Sequence, residues 1–320
     1  MVALRAAWRG IGRALASPKL LLWLWAANLL AALPAAVVVE EAIHREIGAS
    51  RVEERLRDGF DMAWYGEYRH RARGLEDSFT PTHSGPGAFF ANLDHWLRGD
   101  LLELPPALVA TGVAWALLWV LLLGGVLEQW VRPAPRLELG RFLSAAGRYF
   151  FRLLRLAALT VGLYYGVYRL ARALFPRLEE LTQTATREST VLAAYLAGAA
   201  VVVALLALVR TIADYAKIAL VGEERRSSLF ALLAGARFVL LHPVRTGGVA
   251  LLFGLAAAAA LAAYALVAPG AGAADAGALA AAVGIGQLYL VVKLLLRLGL
   301  LGAEVTVYQG AARDTLPPPL

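Results

Sequence analysis

Three acidic residues stand at nearly even intervals along the chain, each just past a long apolar segment. They are Glu128, Asp214 and Glu304. One interpretation is a ring of carboxylates at the inner face of a membrane, paired with arginines of neighbouring helices. The other is that ordinary helix ends reach water there. Arg210 and Lys217 share a helical face with Asp214, and this spacing favours a local, solvated ion cluster.

Histidines form a second group whose chemistry could matter. Four of the five lie between residues 40 and 104: His44, His70, His83 and His95. No pair has the helical spacing of metal ligands and no HExxH motif is present, so we expect solvated or interfacial histidines and no metal site. Under an alternative, enzymatic hypothesis, His70, His83 or His95 acts at the outer interface, while Arg169 and Arg172 hold a phosphate group.

Common catalytic and cofactor motifs are missing from the sequence. It has no Walker loop and no GxSxG nucleophile turn. It also has no cysteine, and this excludes disulfides and thiolate chemistry. We therefore expect no cofactor and assign no catalytic residue. Lys293 and Arg297 lie about one turn apart near the inner half of the last apolar segment. Either they extend toward the headgroups or they contact an anion or a lipid phosphate.

Arginines accompany an apolar stripe between residues 138 and 155. The arginines are Arg141, Arg148, Arg152 and Arg155. The apolar stripe consists of Leu139, Phe142, Leu143, Ala146, Tyr149, Phe150 and Leu153. A helix with one apolar and one cationic stripe suits the headgroup boundary of a membrane that contains anionic lipid. The sequence therefore predicts an interfacial helix here, with membrane lipids as its partner.

The composition predicts that the chain crosses a membrane several times. The 320 residues are 59% hydrophobic with a mean hydropathy of +0.61, whereas a typical soluble domain is about 45–50% apolar. A bilayer core needs about 20 apolar residues in one helix. Six segments meet this requirement, at residues 20–40, 106–127, 154–175, 191–213, 245–268 and 277–303.

These segments predict an all-α fold, a polytopic membrane bundle of about six transmembrane helices. A basic arm (1–19) precedes the first span. Two interfacial elbow helices (138–153 and 228–241) and a small helical outer cap (41–104) complete the predicted architecture. The first span is predicted to be a signal anchor, because its apolar region exceeds the roughly 7–15 residues of a cleaved signal peptide.

Local signals predict several helix ends outside the spans. In the cap, helices are expected near Ser50, after Asp61 and from residue 88 to 98. Ser227 or Ser228 is expected to cap the second elbow helix. His242-Pro243 is expected to end that helix, because a residue before proline disfavours the α conformation.

Basic residues set the predicted orientation. The arm, the segment 131–155 and the segment 210–245 are rich in Lys and Arg, whereas the loop 268–276 has none. By the positive-inside rule, both termini are expected in the cytoplasm. The formal net charge of +7 has the same origin. Because the basic residues flank apolar segments and form no single patch, we expect no nucleic-acid partner.

An internal repeat connects the two predicted elbow helices. An offset of 88 residues aligns residues 142–166 with 230–254, and the identities include Phe142 with Phe230 and Gly147 with Gly235. Each unit would consist of an elbow helix and the span that follows it.

The repeat and the residues before it carry a family resemblance. Asp214-Tyr215-Ala216-Lys217, followed by an elbow with Gly235 and Phe238, resembles uncharacterised bacterial six-helix membrane proteins. It is also distantly similar to the membrane domain attached to some glycerophosphodiester phosphodiesterases. The resemblance covers roughly residues 108–309 and implies a multipass bundle. It does not include the soluble phosphodiesterase domain, so it implies no catalytic activity.

Three functions remain open from the sequence. The leading hypothesis is a non-enzymatic inner-membrane protein with a role in envelope or lipid-related transport or assembly. The first alternative is a membrane-embedded enzyme that acts on a lipid or phosphate-bearing substrate at the outer interface. The second is an uncoupled transporter or channel. A membrane-protein partner or a second copy of the chain is a further expected contact.

Overall fold

The computed structural model describes residues 2–48, 61–72, 106–134, 137–183, 187–268 and 276–314. These residues form nine α-helices. They are α1 (Val2–Leu15), α2 (Pro18–Gly48), α3 (Met62–Arg71), α4 (Pro106–Val131), α5 (Leu139–Thr182), α6 (Glu188–Gly222), α7 (Ser228–Leu241), α8 (Pro243–Val267) and α9 (Ala276–Asp314). No strand occurs within these ranges.

Six of the helices are long and apolar enough to cross a bilayer. The candidate spans are Pro18–Glu41, Val109–Val131, Leu139–Glu180, Glu188–Gly222, Pro243–Val267 and Ala276–Ala311. Large apolar side chains on them are exposed, among them Leu30, Leu196 and Leu255. A helix satisfies its own backbone hydrogen bonds, so such surfaces are stable in hydrocarbon and unfavourable in water. The predicted all-α, polytopic membrane bundle is confirmed.

The chain divides into two compact units. The first comprises Met1–Ala16, Trp119–Phe253 and Leu298–Leu320, and the second comprises Ser17–Leu118 and Gly254–Arg297. In the second unit, Trp25 Nε1 donates to Gln287 Oε1 at 2.8 Å and Trp115 Nε1 donates to Asn28 Oδ1 at 3.0 Å. Every helix–helix crossing discussed below lies in the first unit.

Several predicted helix ends are confirmed. The Asp61 side chain accepts hydrogen bonds from the backbone of Ala63 and Trp64, and α3 begins at Met62. Ser227 accepts from the backbone N–H of Phe230 and caps α7, whose last helical residue precedes His242. The helices predicted near Ser50 and at 88–98 fall outside the described residues.

The structure differs from the prediction in two helices. The first elbow and the third span form one uninterrupted helix, α5, because no proline or glycine separates residues 148 and 161, whereas Pro243 divides α7 from α8. The structure also adds a helix to the basic arm. This helix, α1, ends before Pro18 begins α2.

Candidate functional site

The arginines of α5 lie along one exposed line. Arg141, Arg148 and Arg155 are each seven residues apart, nearly two helical turns, and all three are exposed, while Arg152 is half-buried. No carboxylate among the described residues forms an ion pair with any of these four side chains. Phe151 is exposed beside Arg148 and Arg155. The first half of α5 therefore exposes three of the four predicted arginines, but most of the predicted apolar stripe is buried, namely Phe142, Ala146, Tyr149 and Leu153.

A neighbouring face of α5 packs on α4 and leaves the arginines exposed. A Cβ added to Gly124 of α4 would lie 3.2 Å from the carbonyl oxygen of Ala145, and one added to Gly125 would lie 2.6 Å from the Phe142 ring. Phe142, Ala146 and the neighbouring residues of that face are buried. Glycine thus permits a close helix crossing, which fixes the rotation of α5.

Glu128, at the end of α4, belongs to a network with Arg132 and Tyr149. Arg132 Nη1 lies 2.8 Å from Glu128 Oε2, and the Tyr149 hydroxyl donates to the same carboxylate oxygen at 3.4 Å. Tyr149 comes from the buried face of α5. Under the carboxylate-ring interpretation Glu128 would pair with an arginine of a neighbouring helix, whereas in the structure it pairs with Arg132. Its cation comes from the turn after α4, and α5 contributes a tyrosine.

Arg132 also reaches the end of α6. Its Nη2 donates to the carbonyl oxygens of Val221 and Gly222 at 3.4 and 3.3 Å and lies 3.3 Å from Glu224 Oε1. Burial lowers the pKa of Arg132, but the hydrogen bond to Tyr149 and the charge of Glu128 outweigh it and raise that pKa above its ordinary value. One guanidinium therefore connects α4, α5 and α6.

Asp214 and Glu304 lie close enough to interact electrostatically, although they belong to α6 and α9. Lys217 Nζ lies 2.5 Å from Asp214 Oδ1, and Arg210 Nε lies 3.9 Å from Asp214 Oδ2. Glu304 is 2% exposed and is influenced by the charges of Asp214, Lys217 and Arg210. The ion pairs expected around Asp214 are present, but the expected solvation is not, because Asp214 is buried. The structure adds a second, buried carboxylate to this cluster.

Two buried polar atoms of this cluster have no hydrogen-bond partner among the described residues. They are Glu304 Oε2 and the Tyr215 hydroxyl oxygen. Tyr215 is fully buried, interacts electrostatically with both carboxylates, and packs on Phe238 of α7 at a ring-centroid distance of 4.9 Å. Since buried polar atoms are usually paired, this cluster is an unusual feature of the first unit.

The other predicted site residues that the structure describes are exposed. Lys293 is exposed and its Nζ lies 5.4 Å from the centroid of the Tyr289 ring, and Arg297 is exposed one turn further along α9. Arg169 and Arg172 are exposed and donate to tyrosine hydroxyls one turn earlier on α5. His70 is exposed on α3. His83 and His95 lie outside the described residues.

Within the described ranges, no group of three or more His, Cys, Asp or Glu side chains could hold a metal ion. No family model, no curated protein and no solved structure matches the chain. The fold therefore defines the class by itself: this is an integral, multipass α-helical membrane protein.

Sequence reasoning missed Arg132 and Tyr149. Arg132 had been counted only among the basic residues that orient the chain, and Tyr149 only as part of an apolar stripe. Their sequence signal is weak: Arg132 follows Glu128 by four residues, the spacing of a helical ion pair. The partner on α5 depends on the crossing at Gly124 and Gly125, which a sequence does not reveal.

Proposed function

We propose that this chain is a non-enzymatic protein of a bacterial inner membrane that binds anionic lipid along the first half of α5, in a lipid-related transport or assembly role. The observation that carries the proposal is the exposed line of Arg141, Arg148 and Arg155. Charged side chains on a membrane helix are costly unless they find counter-charges. Lipid phosphates supply such charges at the headgroup boundary, where guanidinium groups bind them through several N–H donors.

An apolar neighbour of these arginines supports an interfacial position. Phe151 is exposed on the same side of α5 and would enter the acyl region, while the guanidinium groups remain at headgroup level. The same position follows from the proposed orientation, in which the basic segments and both termini lie in the cytoplasm. The cytoplasmic leaflet of most membranes is the one enriched in anionic lipid.

Native mass spectrometry with phosphatidylglycerol tests this proposal. A variant with Arg141, Arg148, Arg152 and Arg155 all changed to Glu should lose most of the bound phosphatidylglycerol, because each basic residue near an anionic surface contributes about 1 kcal/mol. The matched control changes the same four residues to Lys and should retain the lipid. Equal retention by the Glu variant and the wild type would contradict the proposal.

A transporter or channel is the second candidate, and the Asp214–Glu304 cluster favours it. Ionisable groups buried in membrane helices often belong to ion or substrate pathways. If the cluster has that role, Glu304→Gln should abolish proton or cation flux in proteoliposomes without loss of folded protein. Absence of flux in wild-type proteoliposomes would exclude this candidate for the ions tested.

A further inference from the structure

The N-terminal helix α1 is closely packed on two helices from the end of the chain. A Cβ added to Gly10 would lie 2.2 Å from the carbonyl oxygen of Gly299 and 2.6 Å from the backbone nitrogen of Ala303, both on α9. A Cβ added to Gly248 of α8 would lie 3.0 Å from the Ala3 Cβ. These are backbone-level approaches, so α1 is an integral part of the first unit.

The contacts of α1 correspond to those of the elbow helix α7. Gly235 of α7 lies against Ile212 and Ala216 of α6. Gly10 of α1 lies in the same way against Gly299 and Ala303 of α9. In each case the two atoms nearest to an added Cβ are a carbonyl oxygen and the backbone nitrogen four residues later. Both contacts lie next to an acidic residue of the span. Asp214 stands between Ile212 and Ala216 on α6, and Glu304 directly follows Ala303 on α9.

The spacing along α1 and α7 agrees as well. Pro18 follows Gly10 by eight residues, and Pro243 follows Gly235 by eight. The residue seven positions before each glycine contacts a neighbouring helix. Before Gly10 it is Ala3, which contacts α8. Before Gly235 it is Ser228, whose hydroxyl donates to the Arg152 carbonyl oxygen of α5 at 2.8 Å. Helix α1 is therefore equivalent to an elbow helix.

The start of α5 crosses α4 differently. There the close approach is at Gly124 of the span itself, whereas a Cβ added to Gly147 of α5, which the repeat aligns with Gly235, would meet nothing within 4 Å. The crossing of α1 on α9 therefore has the geometry of the α7 crossing on α6, and the first helix of the chain covers the last span.

The remaining surface of α1 has two exposed stripes. One is apolar and contains Leu4, Trp8 and Leu15, of which Trp8 is 80% exposed. The other contains Arg5 and Arg9, which are exposed and form no ion pair with a described residue. The helix has no acidic residue. Adjacent apolar and cationic stripes are typical of a helix that lies in an anionic membrane interface.

We propose that α1 is a third elbow helix, which is held on α8 and α9 through Ala3 and Gly10 and binds anionic phospholipid headgroups with Arg5 and Arg9. The ligand chemistry rests on the proposed function of α5, but the position of α1 does not. The bound species is a lipid of the leaflet, since Leu4 and Trp8 need hydrocarbon beside the headgroup that the arginines contact.

Disulfide trapping in the full chain tests the position of α1, because the sequence has no native cysteine. Ala3→Cys with Gly248→Cys places two Cβ atoms near the separation of a disulfide, about 3.5–4.5 Å. This pair should oxidise readily in native membranes. The control pair, Gly12→Cys with Gly248→Cys, should not, because Gly12 faces open space. Equal oxidation of both pairs would overturn the position.

Phosphatidylglycerol titration, followed by native mass spectrometry, tests the lipid contact. Arg5→Glu with Arg9→Glu should weaken binding by at least about 30-fold, since the contributions of two basic residues are lost and repulsion from two carboxylates is added. Arg5→Lys with Arg9→Lys should bind as the wild type does. Unchanged binding in the Glu variant, or displacement of the lipid by inorganic phosphate alone, would overturn the proposal.

The variant with the four α5 arginines changed to Glu, titrated in parallel, separates the two proposals. If it loses phosphatidylglycerol while the Arg5 and Arg9 reversal does not, the lipid role of α1 is wrong and the proposed function stands. If neither variant changes binding, both are wrong. Losses in both variants that add in the combined variant support two separate binding surfaces.

Discussion

The carbonyl oxygen of Gly299 on α9 lies so close to Gly10 on α1 that no side chain fits at position 10. A Cβ added to Gly10 would lie 2.2 Å from this oxygen. Contact at this distance is between backbones, and a flexible side chain cannot relieve it. The residues buried around it on α1 are also small, namely Ala6, Ala7 and Ala14. In a bilayer, such close packing is a main source of helix association.

The first prediction concerns the glycines of α1. Gly10→Leu should destabilise the protein by about 1–3 kcal/mol or more, because overpacking at a backbone contact forces the helices apart. Gly12→Leu, two residues away and facing open space, should be neutral or stabilise α1 by up to about 1 kcal/mol. Thermal unfolding in detergent measures both. Equal effects of the two substitutions would show that α1 is not packed at Gly10.

The second prediction uses the two glycines that the sequence repeat aligns. A Cβ on Gly235 would lie 2.6 Å from the Ala216 backbone nitrogen, whereas one on Gly147 would meet nothing within 4 Å. Gly235→Ala should therefore lower stability by about 1–3 kcal/mol, and Gly147→Ala should raise it by about 0.5–1 kcal/mol through helix propensity. The same sign for both variants would contradict the helix crossings described here.

The third prediction concerns Arg132. Arg132→Met removes its contacts to Glu128, Tyr149 and the end of α6, and should cost about 1–3 kcal/mol because partly buried acceptors lose a charged donor. Arg148→Met is the matched control, since Arg148 is exposed, and should change stability by less than about 0.5 kcal/mol. Comparable unfolding temperatures of the two variants would argue against the network.

The fourth prediction concerns orientation, which the lack of cysteine makes easy to measure. A single cysteine at Arg226, in the exposed segment before α7, should react with a membrane-impermeant maleimide only after the cells are opened. A single cysteine at His70, exposed on α3, should react in intact cells. The reverse labelling pattern would show that the positive-inside assignment is wrong.

The spans and several helix ends could be predicted because their causes are local. A run of about 20 apolar residues has one stable environment, and the caps at Asp61 and Ser227 depend on residues within one turn. The break at His242-Pro243 has the same local character. The continuity of α5 could also have been predicted, since no residue in its middle interrupts a helix.

The meeting of Asp214 and Glu304 could not be predicted in the same way. Their helices are far apart in the sequence and meet through packing contacts such as that of Tyr215 with Tyr308, whose ring centroids are 6.4 Å apart. No local sequence signal marks such a contact. The helix α1 was missed because four basic residues suggested an arm that only orients the first span. Its Ala6, Ala7, Gly10 and Ala14 form a helical stripe of small residues, which was the available signal.

Contact between the α5 arginines and lipid phosphate is the central claim, and solid-state NMR measures it most directly. In membranes containing phosphatidylglycerol, dipolar coupling to lipid phosphorus should dephase the guanidinium carbon signals of Arg141, Arg148 and Arg155. These signals are identified by subtracting the spectrum of a variant in which the three residues are changed to Lys. Guanidinium signals of these residues that phosphorus leaves unaffected would contradict the account.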